Sequence, residues 1–282
     1  MVIASVAGGF LMAGGHVATL MHLSELVIIG GAAAGATIIM APKKVLLALL
    51  AQLLHVLKGA PYRRKSYEDL FMMLYELFLL GRRNGLIALE EHLTNPRSSA
   101  IFQRYPTVLE NRAAVEFLCG ALRPVIDGRV KPDQLRQLLE ADLDRMEEEN
   151  HAPINVLTRA ADAMPGFGIV AAVLGIVITM ASIAGPIEQI GTKVAAALVG
   201  TFLGIFLGYG FMNPLAVNME FNVVERLAYF RCISASVVSF ASGMAPGMAV
   251  EIARRGLGEE LRPAADELET MLKTLNANVA RK

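Results

Sequence analysis

The sequence predicts an all-α fold: a polytopic membrane protein with four transmembrane helices and a helical cytoplasmic domain. Two stretches, 163–187 and 194–219, contain no charged residue, and a short polar link separates them. A helix of roughly 20 apolar residues crosses a hydrocarbon layer about 30 Å thick, so each stretch is long enough to span a bilayer. Hydrophobic residues make up 54% of the chain, above the roughly 45–50% of soluble domains, while charged residues still reach 18%. These observations predict a transmembrane hairpin, over residues 165–214, joined to a substantial charged part.

A second and weaker hairpin is predicted at the N-terminus, over residues 1–42. Residues 1–23 and 26–42 carry no charge, and Glu25 lies in the link between them. The first apolar segment has only about two-thirds of the usual length of a span. We therefore expect a first helix that is truncated, with a start upstream of residue 1, or one that is partly buried among its neighbours. The truncated start is favoured.

The basic residues predict the topology. The block 43–164 carries 17 Lys and Arg residues and the tail 215–282 carries 8, whereas the link 13–24 has none and the link 185–193 has one. Lys and Arg near the ends of spans favour the cytoplasmic side of a membrane. The block 43–164 is therefore expected to form a cytoplasmic helical domain and the tail a cytoplasmic helical segment. Both chain termini are then cytoplasmic.

Hydrophobic periodicity predicts one helix of the cytoplasmic block between residues 133 and 150. Pro132 is placed at its start, where the missing N–H of proline costs nothing. Apolar residues recur at spacings of three and four, which puts them on one face of the helix. The predicted buried face consists of Leu135, Leu138, Leu139, Leu143 and Met146.

The rest of the cytoplasmic part is also expected to be helical. Two runs are predicted around Gly81 and Gly85, ended by the dipeptide 95–96 (Asn-Pro), and helical periodicity returns over 247–279. The apolar stretch after Lys44 is too short to span a bilayer. It either continues the second span or lies at the membrane interface. No segment shows the alternation of a strand.

Several classes of function find no support in the sequence. There is no Walker motif, no HExxH motif and no cluster of potential metal ligands. The segment GFGIVA at 166–171 matches the glycine pattern of dinucleotide sites, but these glycines open an apolar span instead of following a strand. The formal net charge of zero gives no argument for nucleic acid. We expect no enzyme activity, no cofactor, no metal ion and no nucleic-acid partner.

Small residues recur along both central spans. Gly200, Gly204 and Gly208 repeat every four residues on one side of the fourth span, and Gly168 and Gly175 lie in the third. Small side chains let helices approach closely in lipid, where dispersion packing drives association. Two interpretations stay open: these glycines pack the chain's own hairpin, or they form a smooth surface for a partner helix.

Two hydroxyls and two prolines lie in the same spans. Most threonines in membrane helices bond back to a carbonyl of their own helix, and this is the interpretation for Thr179. Thr201 lies beside the glycines and is the better candidate for lining a polar path. Pro165 and Pro214 mark the cytoplasmic ends of the hairpin, with Pro165 at a helix start. As a pair at one membrane face, they would let motion in the spans reach the cytoplasmic helices.

The distribution of ionisable groups limits what the chain transports alone. The third and fourth spans contain no acid, base or histidine, and Glu25 and Glu188 are placed at the outer links. Ion carriers in membranes usually rely on a buried ionisable side chain. If the protein takes part in proton movement, we therefore expect the protonating group to come from another chain.

At three segments the chain resembles the MotA flagellar stator subunits of the MotA/TolQ/ExbB proton channel family. The segments are PGFGIVAAVLGIV at 165–177, VGTFLGIFLGYGFMNPLA at 199–216 and RRNGLIALEEHLTNPRSSAIFQRYP at 82–106. The resemblance covers nearly the whole chain. It implies a ring of five copies, embedded in membrane lipid, around two MotB-like helices that each bring one membrane aspartate. This partner aspartate would be the protonating group that the spans lack.

The resemblance also implies roles for residues of the spans. Pro165 and Pro214 match the two prolines that couple ion binding to movement. Thr201 matches the hydroxyl that faces the partner's aspartate, with Ala172 opposite it on the third helix. The ion is open from the sequence; protons are favoured over sodium because no further polar residue crowds the face of Thr201.

In the cytoplasmic domain, the resemblance implies contact with the rotor protein FliG. Arg82 and Glu90 match the charged pair that engages the rotor, and Arg83 doubles the basic position. The expected function is thus a stator subunit that couples ion flow to torque. Two alternatives are kept: a TolQ/ExbB-like energiser of an envelope protein, and a structural membrane scaffold without ion coupling.

Overall fold

The described part of the chain is mostly helical. In the computed structural model, residues 1–20, 22–56, 62–181, 184 and 186–280 are described, and none of them lies in a strand. The all-α prediction is therefore confirmed for these residues, whereas residues 182 and 183 of the apolar stretch 163–187 and residue 185 of the outer link lie outside them. The helices are α1 Val2–Met12, α2 Leu23–Met40, α3 Lys43–Val56, α4 Arg64–Asn84, α5 Glu90–Thr94, α6 Pro106–Leu109, α7 Arg112–Ile126, α8 Pro132–Met180, α9 Ile187–Leu207, α10 Asn213–Ala241, α11 Pro246–Arg255 and α12 Ala265–Ala280.

These helices divide into two compact units. The apolar unit comprises Met1–Leu57 and Glu149–Phe221, and the charged unit comprises Lys58–Glu148 and Asn222–Lys282. Helices α8 and α10 each contribute residues to both units. The predicted hairpin 165–214 is thus shorter than the segment that packs in the apolar unit, because both helices run past its ends without a break.

Three helical stretches of the described chain are long and apolar enough to cross a membrane. They are Val17–Met40, the helix Pro132–Met180 and the stretch Ile187–Ala241. Helix α1 is apolar but has only 11 residues. At 1.5 Å per residue it is about 16 Å long, little more than half of a hydrocarbon layer.

Helix α3 is separated from the second span. Ala41 has φ −131° and ψ 141°, an extended conformation. The residue before a proline is sterically disfavoured in the α region, so Pro42 enforces this break. The stretch after Lys44 therefore does not continue α2. Its leucines at 47, 50 and 54 are exposed, as expected of a helix that lies on an interface.

The core of the apolar unit lies where α2, α8 and α9 meet. Helix α2 contributes Ile29 and Ala33, which are four residues apart and so lie on one face of the helix. The buried members are Ile29, Ala33, Met164, Ala171, Val199 and Leu203. This cluster positions the central spans against the second helix.

The charged unit has a larger, aromatic core. The rings of Phe78 and Phe240 are stacked with centroids 4.4 Å apart, and those of Tyr62 and Tyr229 at 4.6 Å. Aromatic pairs of this kind contribute about 0.5–1.5 kcal/mol beyond their buried area. The first pair joins α4 to α10 close to the end of α4 that carries the predicted rotor arginines, and the second joins the residues just before α4 to α10.

The predicted buried face of α8 is correct except at one position. Leu135, Leu139 and Leu143 are buried, and Met146 packs against the same core. Leu138 is 46% exposed, so its predicted burial is wrong. The buried stripe follows the four-residue spacing from Leu135, and Leu138 lies about 100° round the helix from Leu139, outside that stripe.

Candidate functional site

The third and fourth spans are in backbone contact through their glycines. A Cβ atom placed on Gly168 would lie 2.8 Å from the carbonyl oxygen of Gly200 and 3.1 Å from the Cα atom of Gly204. A Cβ atom on Gly204 would lie 2.6 Å from the carbonyl oxygen of Met164. Separations below 3 Å are far inside van der Waals contact, so only glycine fits at these positions without a shift of the helices.

The same contact extends along the whole hairpin. A Cβ atom on Gly208 would lie 2.7 Å from the carbonyl oxygen of Ala161, and one on Gly175 would lie 2.8 Å from the Cβ atom of Ala197. All five predicted glycines therefore pack α8 against α9 within one chain, which is the first of the two interpretations of their spacing. Their packing against a partner helix stays a prediction.

The structure brings the predicted path residues together at the middle of this contact. The Cβ position of Gly168 lies 3.3 Å from Cα of Thr201, and that of Gly200 lies 3.4 Å from the amide nitrogen of Ala172. Thr201 is half-buried, and its hydroxyl has no hydrogen-bond partner among the described residues. Thr201 and Ala172 therefore lie in the same part of the contact between the two helices, and their roles in an ion path stay predictions.

Thr179 behaves differently from Thr201. Its side chain is fully buried, and its hydroxyl donates a hydrogen bond to the carbonyl oxygen of Gly175, 2.8 Å away. This is the bond to its own helix that was predicted for it. The comparison leaves Thr201 as the threonine of the hairpin with a hydroxyl available to another molecule.

Glu25 does not lie in an outer link, and that prediction is wrong. Helix α2 begins at Leu23, so Glu25 belongs to its first turn, and its side chain is only 7% exposed. A Cβ atom on Gly200 would lie 3.5 Å from Cγ of Glu25. The side chain of Glu25 therefore lies against α9 at Gly200, the residue before Thr201.

The contact between Glu25 and Gly200 lies deep along the fourth span. Gly200 is roughly midway between Ile187 and Pro214, about 20 Å from each at 1.5 Å per residue. The apolar stretches 163–187 and 194–219 contain no acid, base or histidine of their own. Glu25 of the second span, however, contacts the second of these stretches at Gly200. One signal in the sequence pointed to this: Glu25, Ile29 and Ala33 share the four-residue spacing of the buried stripe.

The two prolines lie within continuous helical segments. Pro165 is inside α8, so the prediction that it starts a helix is wrong; Pro214 lies in the first turn of α10. A π turn, Gly208–Met212, precedes α10. Pro165 Cδ lies 3.4 Å from the Cβ position of Gly208, so the proline of one helix faces the π turn of the other. Proline has no N–H donor. Helix α8 therefore lacks one helical hydrogen bond at Pro165, and α10 lacks one at Pro214.

The predicted rotor residues lie on either side of a sharp turn in the charged unit. Gly85 has φ 87°, which ends α4 just after Arg82 and Arg83, and Glu90 opens α5. All three charged side chains are exposed. The arginines have intrachain contacts: Arg82 Nη2 donates to the carbonyl oxygen of Gly243 at 3.2 Å. Arg83 Nη2 donates to Asn276 Oδ1 at 2.9 Å.

A buried polar network supports this surface. Thr107 Oγ1 donates to Asp69 Oδ2 at 2.6 Å, and the hydroxyl of Tyr105 donates to Glu76 Oε2 at 3.3 Å. Arg104 forms an ion pair with the same Glu76. Burial and the neighbouring Glu76 raise the pKa of Tyr105 well above its usual value. The network ties the segment after α5 to α4, and nothing in the sequence pattern predicted it.

Two family models match the chain. Residues 1–85 match the motility protein A N-terminal model, and residues 110–230 match the MotA/TolQ/ExbB proton channel family. Motility protein A of Salmonella typhimurium is 36% identical over 274 residues, which cover 97% of this chain and 93% of that protein. Chemotaxis protein LafT of Vibrio parahaemolyticus is 36% identical over 271 residues, covering 96% and 95%.

Solved structures share the fold. The MotAB structure from C. jejuni matches with a TM-score of 0.77 at 22% identity, covering 93% of this chain and 95% of that one. The flagellar MotAB stator complex from Bacillus subtilis gives 0.74 at 23%, covering 93% and 94%. The match of residues 110–230, together with the apolar helices, defines an α-helical membrane protein of the MotA/TolQ/ExbB class. Within that class, the chain belongs to the motility protein A family.

Proposed function

We propose that this chain is the stator subunit that couples ion flow across the inner membrane to rotation of the flagellum. The observation that carries the proposal is its 36% identity, over nearly its full length, to proteins named motility protein A. Relatives of this kind are stator subunits and not enzymes. The two solved neighbours are stator complexes, and their likeness supports the fold on which the proposal rests.

The proposed ion path runs beside Thr201 and Ala172. A MotB-like single-span partner would place its aspartate opposite the Thr201 hydroxyl, which is half-buried and has no partner among the described residues. Protonation would remove the charge of that aspartate in a low-dielectric site and change its attraction to nearby dipoles. Protons remain the favoured ion over sodium.

The proposed assembly is a ring, with five copies around two partner helices. The apolar side chains that α8 turns away from α9 are exposed in the single chain, among them Ile169, Val173 and Ile176. Membrane lipid and neighbouring copies would cover them, since such surface is costly in water. In this proposal four spans cross the inner membrane and both termini are cytoplasmic.

Coupling to the cytoplasm is proposed to pass through the two prolines. Pro165 faces the π turn before Pro214, and π turns are frequent at functional sites. Because each helix lacks one hydrogen bond here, the hairpin bends more easily at this level than elsewhere. A step of the ring around the partner would then move the charged unit.

Torque is proposed to reach the rotor through Arg82, Arg83 and Glu90. These exposed charges would pair with charges on FliG, whose surface passes them as the ring turns. Exposed ion pairs of this kind are weak, about 0–1 kcal/mol each, which suits contacts that form and break at every step.

Deletion of the gene tests the proposal against its alternative. A stator subunit predicts cells that assemble flagella but do not swim, and swimming that returns when this chain and its partner are expressed together. A TolQ/ExbB-like energiser, which the comparisons support less well, predicts normal swimming with an envelope defect. A structural scaffold predicts that neither ion flow nor swimming depends on the chain.

A further inference from the structure

We propose that Glu25 is a cation-binding residue of the ion path, a carboxylate that this chain itself contributes beside Gly200 and Thr201. The inference rests on the proposed function and adds a second acid to the one that the partner would bring. Three observations on the Glu25 side chain support it: the position of the side chain, its hydrogen bonds and the titratable groups around it.

The position is unusual for an acid. The Glu25 side chain is 7% exposed and lies one helical turn before Ile29, a fully buried member of the apolar core. An ionised carboxylate is strongly disfavoured in such surroundings unless it is paired or hydrogen-bonded. Acids inside membrane spans are rare for this reason and commonly belong to ion pathways.

The bonding of the carboxyl group is incomplete. Ser24 Oγ donates a hydrogen bond to Glu25 Oε2 at 2.6 Å. None of the described residues donates to Oε1 or forms an ion pair with the group. A carboxylate offers about four acceptor positions, so most of its capacity is open. A proton, a cation with its water, or water alone would occupy these positions in the membrane.

Few titratable groups lie on the elements around this carboxyl group, and His22, the N-cap of α2, is three residues before it in the chain. Helix α9 carries Glu188 and Lys193 in its outer turns, and Lys193 lies about 10 Å along the helix axis from Gly200. The third-span part of α8 carries no titratable residue, and His16 and His22 flank the turn before α2.

The location beside Gly200 links the acid to the proposed path. The Cβ position of Gly200 lies 3.5 Å from Cγ of Glu25 and 3.4 Å from the amide nitrogen of Ala172. The next residue, Thr201, has a hydroxyl without a partner among the described residues. An ion that approaches Thr201 thus passes a negatively charged or protonatable group of this chain.

A structural role is the competing explanation. An acid in the first turn of a helix is stabilised by the helix dipole, and Glu25 occupies such a turn of α2. That role predicts a loss of protein stability on substitution and no change in the ion dependence of the motor. The two explanations therefore differ in what an ion titration measures.

The first test is a titration of motor speed. Wild type, Glu25→Gln and Glu25→Asp are expressed with the partner in cells that lack other stators, and rotation is recorded as external pH and sodium are varied. The motor that carries Glu25→Gln is expected to need an about tenfold higher ion concentration for half-maximal speed. This factor is the low end of the increase that a charge-lined cleft gives to the local ion concentration. Glu25→Asp should restore most of that shift. The matched control is Glu188→Gln, at the exposed outer end of α9.

The second test is independent of rotation. The complex is produced with isotope-labelled glutamate residues, purified and reconstituted. Its infrared spectrum is then followed as the ion concentration is varied. A carboxyl band that is present in wild type, absent in Glu25→Gln and shifted by the ion supports the proposal, even if the wild-type complex turns no motor and the proposed function fails. Overturning results are a Glu25 band indifferent to the ion, or an unchanged ion dependence of speed in Glu25→Gln.

Discussion

The carbonyl oxygen of Ala161 lies 2.7 Å from the point that a Cβ atom at Gly208 would occupy. This carbonyl cannot receive the usual helical hydrogen bond, because the residue four positions on is Pro165, which has no N–H. The backbone of α9 closes directly over it, at the start of the π turn. A helix defect in the third span and a helix defect in the fourth are thus packed against each other.

Gly208→Ala is predicted to destabilise the hairpin. The new methyl group would collide with a backbone carbonyl, which cannot rotate away as a side chain does, and such overpacking typically costs about 1–3 kcal/mol. The thermal unfolding midpoint of the purified complex should fall, and so should motor speed. Gly210→Ala is the control from the same π turn, since its Cβ would lie 3.5 Å from Val2 Cγ1, an ordinary contact. Equal effects of the two substitutions would contradict this account.

Gly175→Ala offers a test in which the loss is partly reversible. The added methyl would lie 2.8 Å from the Cβ atom of Ala197 on the facing helix. We expect Gly175→Ala to lower stability and Ala197→Gly, combined with it, to recover part of the loss. A double-mutant cycle on thermal unfolding measures the coupling, expected at about 0.5–3 kcal/mol for residues in contact. Strict additivity would mean that the two helices do not meet at this point.

The two threonines of the hairpin provide a matched pair. Thr201→Val removes a hydroxyl without a partner among the described residues, so stability should change little while motor speed falls. Thr179→Val removes a hydroxyl that is bonded to Gly175 within its own helix, and speed should stay near wild type. Bead rotation at fixed ion gradient measures both variants. Equal speeds in the two variants would remove Thr201 from the proposed path.

Charge reversal at the predicted rotor residues should reduce torque without affecting membrane insertion. Arg82→Glu and Glu90→Lys are each expected to lower stall torque, because the proposed contacts with the rotor are electrostatic. Arg83→Glu tests the second basic position, whose guanidinium is engaged with Asn276. Glu91→Lys, an exposed neighbour, is the control. Normal torque in Arg82→Glu, Arg83→Glu and Glu90→Lys, at normal protein levels, would place the rotor contact elsewhere.

The charged unit should lose stability in acid through Glu251. Hydrogen bonds from the guanidinium of Arg254 lower the pKa of this carboxyl from 4.5 to about 2. The carboxylate therefore stabilises the folded chain above pH 4.5, and its contribution is lost as the pH falls from there towards 2. Denaturant unfolding of the full-length protein across this range measures it. Glu251→Gln should be less stable at neutral pH and should show a weaker dependence on pH.

The helices of this chain were largely accessible from its sequence, because apolar periodicity and glycine punctuation act locally. The turn at Gly85 and the buried positions Leu135 and Leu139 follow from such patterns. The location of Glu25 was not accessible, since it depends on how the second span packs on α9. A charged residue between two apolar segments is interpreted as part of the link between them, unless the residue at which the second helix begins is known.

The same difference between local patterns and tertiary contacts holds for the glycines and the proline of the hairpin. The spacing of Gly200, Gly204 and Gly208 predicted a close helix contact but left its partner open, and the structure supplies α8. Pro165 was interpreted as a helix start, because proline is common there. Its place inside α8 depends on the tertiary contact with Gly208, which no local pattern contains.

The most direct test of the stator proposal is the rotation of single tethered cells that lack all other stators. Expression of this chain together with its MotB-like partner is induced while speed is recorded. The account predicts that speed rises in discrete, equal steps as complexes join the motor, and falls to zero when the ion gradient is collapsed. Cells that stay still in spite of normal membrane levels of both proteins, or rotation that persists without a gradient, would contradict it.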